Sequence, residues 1–186
     1  MLDYAAKIQQ GLSYADFLST YGTDEHRSKW AAVHQRIALN SAQRELLAGF
    51  TREMKVLCLT GAWCGDCVNQ CPIFDHFAQA SPKIQMLYFD RDAHPDLGSA
   101  LSVCGGARVP VVLFLSEDNQ QVGFYGDRTL SKYRVMASTL GGAACSTGIA
   151  EPQDLERAVV QDWLNEFERI QLILRTSARL RKKHGD

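Results

Sequence analysis

The sequence predicts an α/β protein: a central mixed sheet of about four strands flanked by helices, with helices added before it and one long helix after it. Two observations carry that prediction. Between residues 55 and 140, short apolar runs of strand length alternate with segments of helical periodicity, in the order β-α-β-α-β-β-α. Before residue 55 and after residue 152, apolar residues recur at helical spacing instead. The chain of 186 residues is 46% hydrophobic and 22% charged, which suits one folded domain with additions rather than disorder. Its parts are a helical extension (1–54), a core (55–140) and a C-terminal helix (152–180).

In chain order, "SYADFLSTY" places Tyr14, Phe17, Leu18 and Tyr21 on one helical face. Thr23 is a candidate cap for a second helix with Trp30, Val33 and Ile37 as its stripe. Asn40 or Ser41 starts a third, "AQRELLAGFTREM", facing Leu46, Leu47, Phe50 and Met54 inward. "KVLCLT" (55–60) is an apolar run of the kind buried on both faces of a sheet. A helix from the cysteine cluster to about Ala80 precedes "KIQMLYF" (83–89), and a short helix around Asp96–Val103 precedes "VPVVLFL" (109–115). "SEDNQ" turns the chain into a hairpin partner, "QVGFY" (121–125). "RTLSKYRVMASTL" is a helix with Leu130, Tyr133, Met136 and Leu140 in register, and 141–152 is a loop. The last helix carries Leu155, Val159, Trp163, Phe167, Ile170 and Leu174, a stripe expected to pack on the core or the N-terminal helices, with a dimer seam as the alternative.

A net charge of −1 leaves no basic field for nucleic acid or an anionic membrane. "ARLRKKHGD" reads as a solvated helix end. No run approaches signal-peptide or membrane-span length, so a cytoplasmic location is expected. In a reducing compartment the six cysteines are not a disulfide framework, and clustered ones point to catalysis or metal. "GAWCGDCVNQCP" (61–72) holds three of them within eight positions.

With these residues in order, the core resembles thioredoxin over roughly residues 50–140. "WCGDC" (63–67) follows a buried strand and opens a helix, and Pro72 stands where the family carries a helix-kinking proline. "ARVPVVLFL" is similar to the family's Ile-Pro loop and following strand, which implies that Pro110 is a cis-proline facing the cysteines. Gly126 matches the glycine bordering the substrate groove. Three departures stand out: Asp66 replaces the usual proline between the cysteines, Cys58 takes the place of a buried aspartate, and Thr60 that of a second tryptophan.

The resemblance implies a thiol–disulfide oxidoreductase that reduces protein disulfides and needs no cofactor beyond its own redox-active disulfide. Cys64, beyond the helix end, is expected to be the exposed nucleophile, its thiolate favoured by the helix dipole and unpaired N–H groups. Cys67, in the first turn, resolves the mixed disulfide. Gly65 is expected to allow the tight turn, Trp63 to shield the site, and the Val109 backbone to pair with an extended substrate. Asp66 is expected to face solvent, and Cys58 to stay neutral through burial. Electrons would come from a thioredoxin reductase or a low-molecular-weight thiol, to a monomer or a homodimer.

Other readings stay open. Cys71, at i+4 from Cys67, is directed toward the sheet, either as a small buried apolar residue or as an auxiliary thiol that accepts Cys67's disulfide. A zinc site would add Cys71 to the pair, with His76, Cys104 or His94 as fourth ligand, but the helix positions of Cys71 and His76 argue against it. An iron–sulfur cluster shared between two chains through Cys64 fits less well than exchange. Cys104 reads as core, and Cys145, in the glycine-rich loop, has no evident partner. His34 reads as a surface or boundary residue; His26, His94 and His184 read as solvated. The alternative function is a non-catalytic module that docks a partner through its helical ends.

Overall fold

The computed structural model describes residues 2–140 and 154–186. Four short helices come first: α1 (Tyr4–Ile8), α2 (Tyr14–Tyr21), α3 (Asp24–Arg36) and α4 (Ser41–Ala48). Their starts follow from side-chain caps that satisfy the first free N–H groups. Ser13 accepts from Asp16 N; Thr23 and Asn40 form reciprocal boxes with His26 and Gln43. Two of these starts are those the sequence predicts. The third helix ends sooner, at Ala48, because Gly49 closes it, and Met54 opens the first strand instead.

Strands β1 (Met54–Thr60), β2 (Ile84–Asp90), β3 (Val111–Ser116) and β4 (Gln121–Gly126) form one mixed sheet in the order β2-β1-β3-β4. The β1–β2 pair is parallel and the other two pairs are antiparallel. Every residue of β3 is buried, as is every residue of β1 except Lys55, which is why both read as unbroken apolar runs. The free edge of β2 is closed by Leu12, whose N–H and C=O both bond to Tyr88 at 3.0 and 2.8 Å. Gly11 permits that approach, since a Cβ there would stand 2.8 Å from the Leu87 side chain.

Helix α5 (Gly65–Ala80) crosses the sheet with Pro72 inside it. It packs on α3 toward the β2 side and on α8 (Leu155–Thr176) toward β4. The stripe of α8 is spent on this core: Trp163 stands edge-on to Phe74 and Tyr125, and Phe167 meets Phe74, Phe77 and Phe114. Gln171 then locks α8 to the chain entering β1, accepting from Arg52 N at 2.8 Å and donating to Arg52 O at 2.9 Å. The predicted single C-terminal helix breaks at Ser177, where an extended residue separates α8 from α9 (Ala178–His184). Between α5 and α8 in sequence lie α6 (Pro95–Ala100) and α7 (Leu130–Thr139).

Helix α7 departs from expectation. Leu130, Tyr133 and Leu140 are exposed, while Ser131 is buried. Its backbone is set by polar anchors instead: Ser131 N donates to Asp162 at 2.8 Å, and the Tyr133 hydroxyl to Asp127. Periodicity reports a shared face but not which way that face turns. The segment holding Cys145 lies outside the described residues.

Candidate active site

The site forms where β1 ends and α5 begins. Cys64 is the N-cap of α5, half-buried, with no side-chain oxygen in the capping position. Its thiol donates toward Val109 O at 3.5 Å, and the backbone N–H groups of Cys67 and Asp66 at the helix start favour its thiolate. The Val109–Pro110 bond is cis, which sets Pro110 next to Cys64. Gly126 closes on the same point: a Cβ there would stand 2.6 Å from Pro110 O, and its φ of 151° disfavours any other residue. Cys64, Val109, Pro110 and Gly126, far apart in sequence, are thus brought together.

Trp63 is 49% exposed beside the thiol. One side of its indole lies on Gly61, and the Arg91 guanidinium sits 4.6 Å from the ring centroid on this exposed flank. Gly65 needs correction as a turn residue. Its φ is not left-handed and a Cβ would meet nothing within 4 Å, so it leaves the approach to Cys64 open rather than making the turn. Gly65→Ala is therefore expected to keep stability within about 0.5 kcal/mol of wild type. A loss beyond 1.5 kcal/mol in urea unfolding would contradict this.

Asp66 is also corrected. It does not face solvent but pairs with Arg128 at 2.5 Å. Arg128 bridges to Asp127 at 2.9 Å, which further receives the Tyr133 hydroxyl and Arg108 at 3.4 Å. Burial by itself would raise the Asp127 carboxyl, but the Tyr133 hydrogen bond and the Arg128 and Arg108 charges outweigh it and hold the pKa low. Buried Gln70 joins this network to the C-terminal helix, donating to Asp127 O at 3.1 Å and accepting from Trp163 Nε1 at 2.8 Å. None of Arg91, Arg128, Asp127 or Gln70 belongs to a motif, so sequence reasoning had no signal for them.

Cys64 differs from expectation too. Contact with Cys67, then burial, raises Cys64 above the ordinary thiol value despite the two backbone N–H groups. Burial likewise raises Cys67, Cys71 and Cys58. A thiol pushed up is stabilising below its unfolded pKa, and that stability is lost as pH rises through the folded value. With an unfolded value of 9.0, the reduced protein is expected to weaken progressively above pH 9. An unfolding midpoint that stays constant from pH 8 to 10 under reductant would contradict this.

Beneath Cys67 lie Cys71 and Cys58, both fully buried. Cys71 Sγ stands 3.8 Å from Cys58 Sγ and 3.3 Å from Thr60 Oγ1, so Cys71 does face the sheet. Cys104 does not join them. It is exposed, with a φ of 50° in the tight turn before Gly105, and is no part of the core. His94 is half-buried against Phe89, 3.4 Å from Lys7, rather than solvated. His34 pairs with Asp75 at 2.8 Å and stacks on His76. Among the described residues no three His, Cys, Asp or Glu side chains are grouped to hold a metal ion, and no helix is long and apolar enough to cross a membrane.

A CxxC at the N-terminus of a helix, set beside a cis-proline at the end of a mixed four-stranded sheet, defines a thioredoxin-like fold. The thioredoxin family profile matches residues 11–139, and the chain belongs to that family. Among curated proteins no sequence matches it. A protein of unknown function from Pseudomonas aeruginosa is 22% identical, with a TM-score of 0.72 over 91% of this chain and 97% of that one. An HIV epitope-scaffold is also 22% identical, with a TM-score of 0.68 over the same shares. Both extend the likeness in fold to the helical ends.

Proposed function

We propose that this chain is a thiol–disulfide oxidoreductase that reduces protein disulfides through Cys64 and Cys67. The observation supporting it most is placement. Cys64 is the reachable sulfur of the pair, at the N-cap of α5 beside Val109 and Pro110, with Cys67 buried behind it. Cys64 gives up its proton and, as thiolate, attacks one sulfur of the substrate disulfide, while the other sulfur leaves with the electron pair and takes up a proton. The substrate lies extended along the Val109 backbone, between Trp63 and Gly126. Cys67 then gives up its proton and attacks Cys64 Sγ, which releases the second substrate thiol and leaves a Cys64–Cys67 disulfide. A thioredoxin reductase or a low-molecular-weight thiol restores the dithiol.

The proton of Cys67 is where this chain departs from its family. Burial raises Cys58, so at neutral pH it is no base. Release is expected to be slow near pH 7 and to accelerate as Cys67 itself ionises. In Cys58→Asp the acceleration is expected at lower pH, with folding checked because an unpaired buried carboxylate is destabilising. An unchanged rate–pH profile in a folded variant would mean that the proton leaves by another route.

Insulin reduction with dithiothreitol tests the function itself: wild type is expected to accelerate it and Cys64→Ser not. Equal rates would favour a non-catalytic docking module. That reading has less support, because the stripes of α3 and α8 are spent on the core.

A further inference from the structure

The reductase cycle uses two thiols, yet four stand in one file. Cys64 is half-buried at the surface, and Cys67, fully buried in the first turn of α5, stands one helical turn before Cys71 on the same face. Cys71 in turn lies 3.8 Å from Cys58, on β1. Both inner sulfurs are wholly shielded, so no external disulfide can reach them. Their route to solvent through thiols is Cys67.

We propose that Cys58 and Cys71 are a second, buried redox dithiol that reloads the surface pair, giving each chain four reducing equivalents instead of two. The proposal rests on the dithiol reading above and deepens it. Once a substrate has left Cys64 and Cys67 joined, Cys71 Sγ attacks Cys67 Sγ. The Cys67–Cys71 bond forms, the Cys64–Cys67 bond breaks, and Cys64 leaves with the electron pair and takes up the proton that Cys71 lost. Thr60 Oγ1, 3.3 Å from Cys71, is placed to take that proton and pass it on. Cys58 Sγ then attacks Cys71 Sγ, forming Cys58–Cys71 and freeing Cys67, which takes the proton from Cys58. The net result is one buried disulfide and a surface dithiol ready for a second substrate. The substrate disulfide is the oxidant throughout.

The geometry permits each step. Residues four apart on a helix have Cβ atoms about 5–6 Å apart, slightly wide for a disulfide. Pro72, immediately after Cys71, removes a backbone hydrogen bond from this turn, so the helix can yield there. Sulfurs at 3.8 Å reach a bond of about 2.05 Å with a modest side-chain rotation.

The test is a thiol count. Fully reduced protein is mixed anaerobically with excess of a peptide closed by one disulfide, then alkylated, weighed intact and mapped. Of the six cysteines, four thiols are expected to be lost, with Cys64–Cys67 and Cys58–Cys71 both found. Cys58→Ala and Cys71→Ala are each expected to halve the loss to two. A wild type that loses only Cys64 and Cys67, with Cys58 and Cys71 alkylated, overturns the relay and leaves the reductase intact. No loss at all overturns the reductase, and the relay with it.

Discussion

Cys64→Ser is expected to lower insulin reduction by about a thousand-fold or more, as removal of a covalent nucleophile does in other enzymes. The serine hydroxyl fits the same N-cap position, so the fold should survive and the loss should be chemical. Cys67→Ser should behave differently. Cys64 still attacks, but with no thiol behind it the mixed disulfide is not resolved and accumulates as a covalent adduct, removed by reductant. Mass spectrometry of the trapped species checks this and identifies substrates. Cys104→Ala should change little, since Cys104 sits exposed in a tight turn. If Cys104→Ala proved as damaging as Cys64→Ser in a folded protein, the assignment of the pair would be wrong.

The second large effect concerns the C-terminal helix. Trp163 is fully buried between Phe74 and Tyr125, and its Nε1 is the donor to the Gln70 carbonyl. Trp163→Ala leaves a cavity costing about 3–5 kcal/mol. It also strands a buried Gln70 oxygen, for about 1–3 kcal/mol more. Against a typical total of about 5–15 kcal/mol, most of the stability is at stake. Trp163→Phe keeps most of the volume and loses only the donor, so it should fall between. Urea unfolding of the three proteins is the check. A Trp163→Ala loss below 1 kcal/mol would mean that α8 is an appendage and not a wall of the core.

These two effects mark how far the sequence could be read. Strands of the sheet were legible because burial on both faces leaves unbroken apolar runs such as "VLCL" and "VVLFL". Helix starts were legible because Thr23 and Asn40 cap through local hydrogen bonds. The pair Cys64 and Cys67, with Pro110 and Gly126, was legible because its members sit in ordered motifs. What escaped was long-range. Arg128 reaching Asp66, Gln70 joining Asp127 to Trp163, and Cys58 meeting Cys71 all depend on how separate elements dock. The outward turn of Leu130 and Tyr133 escaped for the same reason. The rise of Cys64 was missed because the helix dipole was weighed without the neighbouring thiol and burial.

That rise bears on the direction of electron flow. A strong oxidant in this fold stabilises its thiolate, whereas here the contact with Cys67 and burial oppose ionisation. Asp66 adds little to this, because Arg128 neutralises it. The most direct measurement is the reduction potential of the Cys64–Cys67 bond, equilibrated against dithiol buffers and read by mapping the peptide that contains both residues. The expected value is roughly −270 mV or lower, the range of a reducing thioredoxin. A value above about −200 mV, beyond the oxidising end of the glutaredoxin range, would contradict a protein-disulfide reductase.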